Sequence, residues 1–225
     1  MKYEIVKPRP MPQDESLQYF FKRERSKDDI FIDFSDEKIE KALFLDIDGV
    51  IQAFTENRFE YIRDEIGMEK LFVDLEKEFN CDYRTFDLYD LTAVVYDWDK
   101  EAVQELKRVL DTTGAKFVVS SDWRYDSKLL ILPFLFRIHD LEKYLYGYTP
   151  IFFDIQTIQS KPENEKIYWH RSIEILEYIK AHPHIKKWVA VDDLDMSRDI
   201  PDNFVGTYPK LTSEKADKCI EILMN

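Results

Sequence analysis

The chain has 225 residues and carries 32 Lys and Arg against 45 Asp and Glu, which gives a formal net charge of -13. Because 44% of the residues are hydrophobic, the composition excludes a chain that is disordered throughout, and the length suits one large domain or one domain with an insertion. The acidic excess argues against broad binding of nucleic acid, which needs clustered Lys and Arg.

Three local features bear on where the protein works. Its start lacks the apolar segment of a signal peptide, and its longest apolar run, residues 129–136, is too short to span a membrane. Cys81 and Cys219 are too few and too isolated for a disulfide scaffold or a cysteine metal site. We therefore expect a cytoplasmic protein with reduced thiols and no membrane segment, and the sequence leaves the oligomeric state open.

The first 40 residues differ from the rest and are interpreted as an N-terminal extension. Pro8, Pro10 and Pro12 indicate an extended entry, and residues 20–25 form a short patch of basic and aromatic side chains. This patch has two interpretations: it contacts a phosphate-bearing partner, or it is a solvated helix face docked by two Phe. The acidic residues nearby favour the second.

From residue 41 onward, short apolar runs alternate with amphipathic patterns. The predicted strands are 42–45, 116–120, 145–149, 187–191 and 203–205. The predicted helices are 60–80, 99–110 before Gly114, 126–140, one with Ile173, Leu176 and Ile179 on its apolar face, and one capped by Thr212 or Ser213 that ends near residue 223. This alternation predicts an α/β fold with βαβ crossovers and a mostly parallel sheet.

Polar residues follow three of the predicted strands, at 46–49, 120–122 and 192–193. Ligands of an open parallel sheet bind outside the carboxyl ends of its strands. We therefore expect these three segments to line one crevice.

Four carboxylates in these segments carry the predicted chemistry: Asp46, Asp48, Asp192 and Asp193. Brought together, they would repel one another and would be costly to bury. Mg2+ prefers such all-oxygen ligands, and its charge would let an anion approach. A carboxylate could then attack phosphorus, while a second carboxyl two residues along could protonate the leaving oxygen and later activate water. Gly49 permits the tight turn that keeps both carboxyls near the site.

The strand-end segments resemble the motifs of a known family. Leu-Phe-Leu-Asp-Ile-Asp-Gly-Val at 43–50 is similar to the first motif of the haloacid dehalogenase-like (HAD) phosphatases. Val-Val-Ser at 118–120 is similar to the second motif, and Val-Ala-Val-Asp-Asp at 189–193 is similar to the fourth. The resemblance runs from about residue 41 to 225, and the motifs stand in the family's order.

A closer likeness lies in four further stretches, at 120–124, 146–150, 171–175 and 210–216. They resemble the HAD domain of the "Swiss Army knife" RNA-repair proteins and its stand-alone bacterial relatives. The resemblance implies a Rossmann-like core over 41–225, with helices on both faces of the sheet. It also implies a small cap insertion after the first strand, at about 51–98, which would leave the site fairly open.

The resemblance also implies roles for individual residues. Asp46 would be the nucleophile and a Mg2+ ligand, and Asp48 would be the general acid/base with its backbone carbonyl on the metal. Ser120 would hydrogen-bond the transferred phosphoryl group. Asp192 would complete the metal site, with Asp193 alongside it or acting through water.

The family's third motif, a Lys or Arg that stabilises the nucleophile and the phosphate, has three candidates. Arg171 is favoured because it lies in one of the subgroup-like stretches, Lys161 is the second choice, and Lys166 stays open. A planar guanidinium would bind phosphate through two hydrogen bonds, whereas Lys would act as a point charge. Ser121, beside Ser120, is also a phosphate-binding candidate.

Less specific interpretations stand beside these. Ser120 and Ser121 could be helix-capping residues. Trp123 and Arg124 either line the site or fix its loop by stacking. In a chain this acidic, local attraction for a phosphorylated substrate must come from Mg2+ and a few cations, among them Arg171 and Arg124.

Three functions follow from the sequence. The first is a Mg2+-dependent phosphomonoester hydrolase acting through an aspartyl-phosphate, with a phosphorylated small molecule or nucleotide as substrate. The second is a nucleic-acid end-processing phosphatase, suggested by the subgroup likeness and opposed by the acidity. The third is a non-catalytic HAD scaffold for binding or regulation, in which residues 1–40 dock a partner.

Overall fold

A computed structural model of the chain describes residues 32–55, 65–124, 128–151 and 168–225. These residues form a six-stranded sheet in the order β1-β4-β3-β2-β5-β6. The strands are β1 (Ile32–Asp33), β2 (Lys41–Leu45), β3 (Lys116–Val119), β4 (Leu145–Tyr148), β5 (Lys187–Asp192) and β6 (Phe204–Gly206). Strands β2 to β6 run parallel, and β1 pairs antiparallel with β4 at one edge.

The connections between the strands are mostly helical. The helices are α1 (Glu65–Phe79), α2 (Leu88–Thr92), α3 (Lys100–Thr113), α4 (Lys128–Ile138), α5 (Tyr168–Ala181) and α6 (Ser213–Met224), and a π-helical turn, Ala93–Asp97, continues α2. Single 3-10 turns lie at Asp122–Arg124, Glu142–Tyr144 and Pro201–Asn203.

Helix α3 shows how local sequence sets the bounds of a helix. It begins where the side chain of Asp99 accepts the backbone N–H of Ala102 at 2.9 Å, which satisfies one of the free donors of the first turn. It ends at Gly114, whose φ of 71° is the left-handed conformation that glycine adopts without strain. The strand that follows, β3, thus enters the sheet in the predicted place.

Helices cover both faces of the sheet. Alternate side chains of β2 point to opposite faces, and Leu43 and Leu45 belong to a core that includes buried residues of α3, α4 and α6. Phe44 belongs to a second core, which includes Ile175 and Tyr178 of α5. The predicted α/β fold, a mostly parallel Rossmann-like sheet with helices on both faces, is confirmed.

The predicted apolar face of α5 was wrong at Leu176, although Ile179 packs against the second core as expected. Leu176 is 41% exposed, whereas Ile175 and Tyr178 are fully buried. The buried side of this helix also contains Arg171 and Glu174, each less than a tenth exposed. A pattern built on apolar residues alone could not find this face, because buried charges with tertiary partners define part of it.

The edge strand β1 lies inside the predicted N-terminal extension, so the sheet has one strand more than expected. It is tied to α5, because the Tyr178 hydroxyl donates to the Asp33 carboxylate and the His182 Nε2 lies 2.9 Å from the same group. The predicted boundary at residue 40 and the cap at 51–98 stay predictions, and residues 1–31 lie outside the described part of the chain.

Within the described ranges, no helix is long and apolar enough to cross a membrane. Both cysteines are unpaired, and Cys219 is buried under the sheet. The cytoplasmic location stays a prediction.

Candidate active site

The three polar strand ends meet at the carboxyl edge of the sheet. Strand β2 lies between β3 and β5, and its ladder continues one residue further, where Asp46 N–H donates to Val191 C=O at 3.0 Å. On the other side, Ser120 N–H donates to Leu45 C=O at 3.0 Å. Asp46 therefore occupies the centre of this edge, with the other two segments on either side of it.

Three carboxylates form a compact group that we call the acidic cluster: Asp46, Asp192 and Asp193. Each offers an oxygen atom, and these atoms all lie within 4.8 Å of one another. Asp46 and Asp192 are almost fully buried, at 2% and 0% exposed. An all-oxygen donor set of this size fits Mg2+, which takes carboxylate ligands and keeps several waters. The Asp48 carboxylate is not part of the cluster, and the metal contact of its backbone carbonyl stays a prediction.

Arg171 connects the members of this cluster. Its Nη1 lies 3.1 Å from Asp46 Oδ1 and 2.9 Å from Asp192 Oδ2. Its Nη2 donates to Asp122 Oδ1 at 2.9 Å. Although burial by itself lowers the pKa of the guanidinium, the adjacent Asp46 and Asp192 raise this pKa well above its ordinary value. The arginine therefore stays charged, and its fork fixes the orientation of both carboxylates.

The carboxylates are held in an environment that resists their ionisation. Burial raises the pKa of Asp46 to about 7 against the opposing charge of Arg171. Burial and the neighbouring Asp46 raise the pKa of Asp193 to about 6, and burial raises the pKa of Asp192 as well. Such shifts are typical of carboxylates that a divalent cation would share, because the metal charge offsets both desolvation and repulsion.

Two hydroxyls follow β3 beside the cluster. The Ser121 side chain is hydrogen-bonded to Asp46 and helps to lower that carboxyl's pKa. Ser120 is 1% exposed, and its Oγ has no hydrogen-bond partner among the described residues. A buried hydroxyl left without a partner costs about 1–3 kcal/mol. This unpartnered hydroxyl is suited to the role that the family resemblance implies for it, a hydrogen bond to an oxygen of the transferred phosphoryl group.

The Asp48 carboxylate is held by a residue far away in sequence. Trp123 donates its indole Nε1–H to Asp48 Oδ2 at 2.9 Å. Trp123 is itself packed, with its ring centroid 6.1 Å from that of Trp98. The sequence left two roles open for Trp123, lining the site or fixing its loop by stacking. The structure favours the first, because Trp123 orients the predicted general acid/base.

The turn that directly follows Asp46 and Asp48 requires glycine. Gly49 has a φ of +69°, and a Cβ there would lie 2.7 Å from Asp193 Cβ and 2.8 Å from Phe54 Cε2. The backbone could not approach Asp193 this closely with any other residue. The DxDG segment therefore packs directly against Asp193 of the acidic cluster.

The family model for the HAD domain in Swiss Army Knife RNA repair proteins matches residues 42–216. The chain belongs to this family. The match begins in β2 and ends within α6, so it contains all three polar strand ends. A search of curated proteins and a search of solved structures found no match.

Of the three candidates for the third motif of this HAD domain, only Arg171 lies among the described residues. Arg171 lies beside the predicted nucleophile, as described above, whereas Lys161 and Lys166 lie outside the described residues. The predicted catalytic, phosphate-binding and metal-binding roles of the site residues stay predictions.

Arg124 has a different place from the one expected of a substrate-attracting cation. It is fully buried, and its guanidinium pairs with the buried carboxylate of Glu174 on α5. Its Nη1 donates to the carbonyls of Ser120 and Ser121, the latter at 2.7 Å, and its Nε donates to Thr149 C=O at 3.3 Å. Arg124 thus fixes the serine loop from behind, and the expectation that it attracts substrate was wrong.

One signal in the sequence could have revealed that Arg171 and Glu174 are both buried on α5. Arg171 and Glu174 are three residues apart, so they share one face of α5. Ile175 and Tyr178 lie on the same face. Two charges on the apolar side of a helix that covers a sheet predict buried partners, because unpaired buried charges are too costly.

Replacing Asp193 by Asn should stabilise the metal-free protein at pH 8. The folded-state pKa of Asp193 is raised to about 6, so its ionisation above that pH works against folding, and the effect fades toward pH 4. After a discount for its partial exposure to solvent, we expect a gain of about 1 kcal/mol in the free energy of unfolding at pH 8, measured by urea denaturation with a chelator. Added Mg2+ should remove the gain.

Asp195→Asn is the matched control. Hydrogen bonds from Ser197 lower the pKa of this exposed carboxyl, so its ionised form favours folding and its loss should not stabilise the protein at pH 8. An equal gain in both variants would show a general effect of net charge and would contradict the prediction for the acidic cluster.

Arg124→Met should cost about 3–5 kcal/mol in the free energy of unfolding, because Glu174 is left buried without its cation. The double variant Arg124→Met/Glu174→Leu should recover much of this stability, since an apolar pair of similar volume replaces the ion pair. It should not recover the hydrolase activity that is typical of the HAD family, because Met cannot hold the serine-loop carbonyls. Full activity in a stable double variant would show that the loop does not depend on Arg124.

Proposed function

We propose that the chain is a Mg2+-dependent phosphomonoester hydrolase that acts through an aspartyl-phosphate intermediate. The observation that carries this proposal is the acidic cluster at the centre of the sheet's carboxyl edge, bridged by the buried Arg171. Membership of the HAD family supports a hydrolase of the phosphatase type. Asp46, Asp192 and Asp193 would hold the metal, whose charge would offset that of the phosphate when bound.

In the proposed reaction, the Asp46 carboxylate attacks phosphorus and the bond from phosphorus to the leaving oxygen breaks. Asp48 donates its proton to that oxygen, so the alcohol leaves neutral. Asp48, now ionised, then takes a proton from water, which attacks the aspartyl-phosphate and releases inorganic phosphate and Asp46. The Ser120 hydroxyl binds an oxygen of the transferred group, and Arg171 keeps the nucleophile oriented throughout.

A phosphorylated nucleic-acid end is the second candidate substrate. The description of the family, a HAD domain in RNA repair proteins, favours it. The formal net charge of -13 opposes it, because contacts to several phosphates need cations. Greater activity on 5′- or 3′-phosphorylated oligonucleotides than on mononucleotides would favour this candidate.

Hydrolysis of an aryl phosphate should depend on both Mg2+ and Asp46. Asp46→Asn replaces the nucleophile with a neutral amide, and we expect kcat to fall by at least about a thousandfold. A chelator should abolish the activity of the unaltered protein, and Mg2+ should restore it. The release of inorganic phosphate measures both effects.

Asp195→Asn serves as the control in this assay as well, because Asp195 is an exposed carboxylate outside the acidic cluster. It should retain the activity of the unaltered protein. Metal-independent hydrolysis, or equal activity in Asp46→Asn, would refute the proposed function and leave the non-catalytic alternative.

Trp123→Phe should lower activity most on substrates with poor leaving groups. The variant removes the N–H that holds Asp48, and protonation of the leaving oxygen by Asp48 matters more for an alkyl than for an aryl phosphate. We expect about a tenfold loss in kcat for the alkyl substrate, the worth of one hydrogen bond to the carboxylate that forms as Asp48 gives up its proton, and a smaller loss for the aryl substrate.

Trp98→Phe is the matched control for this variant, because it makes the same change in the neighbouring ring without touching Asp48. Its indole N–H has no partner among the described residues. It should affect both substrates equally, through packing. An equal loss on both substrates in Trp123→Phe would contradict the positioning role.

A further inference from the structure

An aromatic pair stands next to the acidic cluster and has no part in the chemistry proposed above. The edge of the Phe54 ring and the side chain of Asp193 pack against the same face of Gly49, so they are neighbours. The Phe54 ring lies 5.7 Å from the ring of Tyr208, with an angle of 32° between their planes. Tyr208 is 70% exposed, so it extends an accessible aromatic surface outward from Phe54, the ring that neighbours Asp193.

The backbone holds this pair in place from two sides. Phe54 N–H donates to Pro209 C=O at 3.1 Å, and Leu211 N–H donates to Val50 C=O at 2.8 Å. These bonds join the segment after β2 to the segment after β6. The residue before Tyr208, Thr207, is tied in turn to Asp192 C=O at 2.8 Å. The backbone segments that carry the two rings are therefore fixed relative to the acidic cluster.

The ion pairs near the carboxyl edge of the sheet indicate what kind of substrate group could bind beside these rings. Arg171 is engaged by the acidic cluster, Arg124 by Glu174, and Lys210 by Asp99 and Glu101. Each of these cations is already matched by carboxylates, so none is suited to a second phosphate or carboxylate on the substrate. An exposed ring beside such a site instead favours a neutral, planar group, which it can bind by stacking.

We propose that Phe54 and Tyr208 form the leaving-group subsite and that the substrate carries a planar aromatic ring, a nucleobase or another aryl group, which stacks on Tyr208. This inference rests on the proposed phosphatase function and names the class of its substrate. It assigns Tyr208 as a residue that sets specificity through the leaving group, outside the reacting atoms.

The test compares substrates that share a leaving oxygen and differ only in the ring. Adenosine 5′-monophosphate and ribose 5-phosphate are both primary alkyl phosphates, and only the first has a base. We expect kcat/KM to favour the nucleotide by about tenfold, the effect of stacking one base. Tyr208→Leu should remove most of this preference, and Tyr208→Trp should retain it. The ratio is measured within one preparation, so partial unfolding cancels.

Benzyl phosphate against cyclohexylmethyl phosphate separates the two sources of the ring. A preference for benzyl shows that any aryl group suffices, whereas a preference confined to the nucleotide identifies a nucleobase. Phe34→Leu is the control, because Phe34 is an exposed ring at the opposite edge of the sheet, packed against Tyr148. It should leave the ratio unchanged.

The results that would overturn the subsite differ from those that would refute the proposed function. Equal hydrolysis of nucleotide and sugar phosphate overturns the subsite and leaves the proposed function standing. A preference that persists in Tyr208→Leu overturns it too. Hydrolysis of neither compound, nor of an aryl phosphate, refutes the proposed function and the subsite together.

Discussion

Repulsion among three clustered carboxylates, two of them buried, is the constraint on which the rest of the structure depends. Asp46, Asp192 and Asp193 bring three negative charges to the carboxyl edge of the sheet, and Arg171 brings one positive charge among them. The remaining excess corresponds to two charges, which a single divalent cation would balance. The pKa values of Asp46 and Asp193 are raised because ionising both carboxylates is unfavourable even with the positive charge of Arg171 beside them.

Helix α5 supplies most of the side-chain contacts that hold this arrangement in place. One face of it supplies Arg171 to the acidic cluster and Glu174 to Arg124, which fixes the serine loop. Further along the same helix, Tyr178 and the adjoining His182 bind Asp33 of the edge strand. The predicted nucleophile and the predicted phosphate-binding serines are therefore positioned by a single element, so a shift of α5 against the sheet would move both.

The sequence predicted the parts of this site that obey a local rule. An apolar strand followed by carboxylates gave Asp46 and Asp192 their places, and the left-handed turn at Gly49 follows from its residue type. The pairs Trp123 with Asp48 and Arg124 with Glu174 join residues 75 and 50 positions apart, so no spacing pattern could reveal them. The apolar face of α5 was misread for the related reason that its buried side is partly charged.

The same charges constrain how a phosphorylated substrate would enter. The chain has a formal net charge of -13, and three cations near the site, Arg171, Arg124 and Lys210, are each paired with carboxylates. A phosphate dianion would therefore meet repulsion until a divalent cation had bound to the acidic cluster. In the proposed reaction this favours an order in which metal precedes substrate. Among the described residues, it also favours recognition of the remainder of the substrate by uncharged surfaces, such as the ring of Phe54, a neighbour of Asp193, and that of Tyr208 next to it.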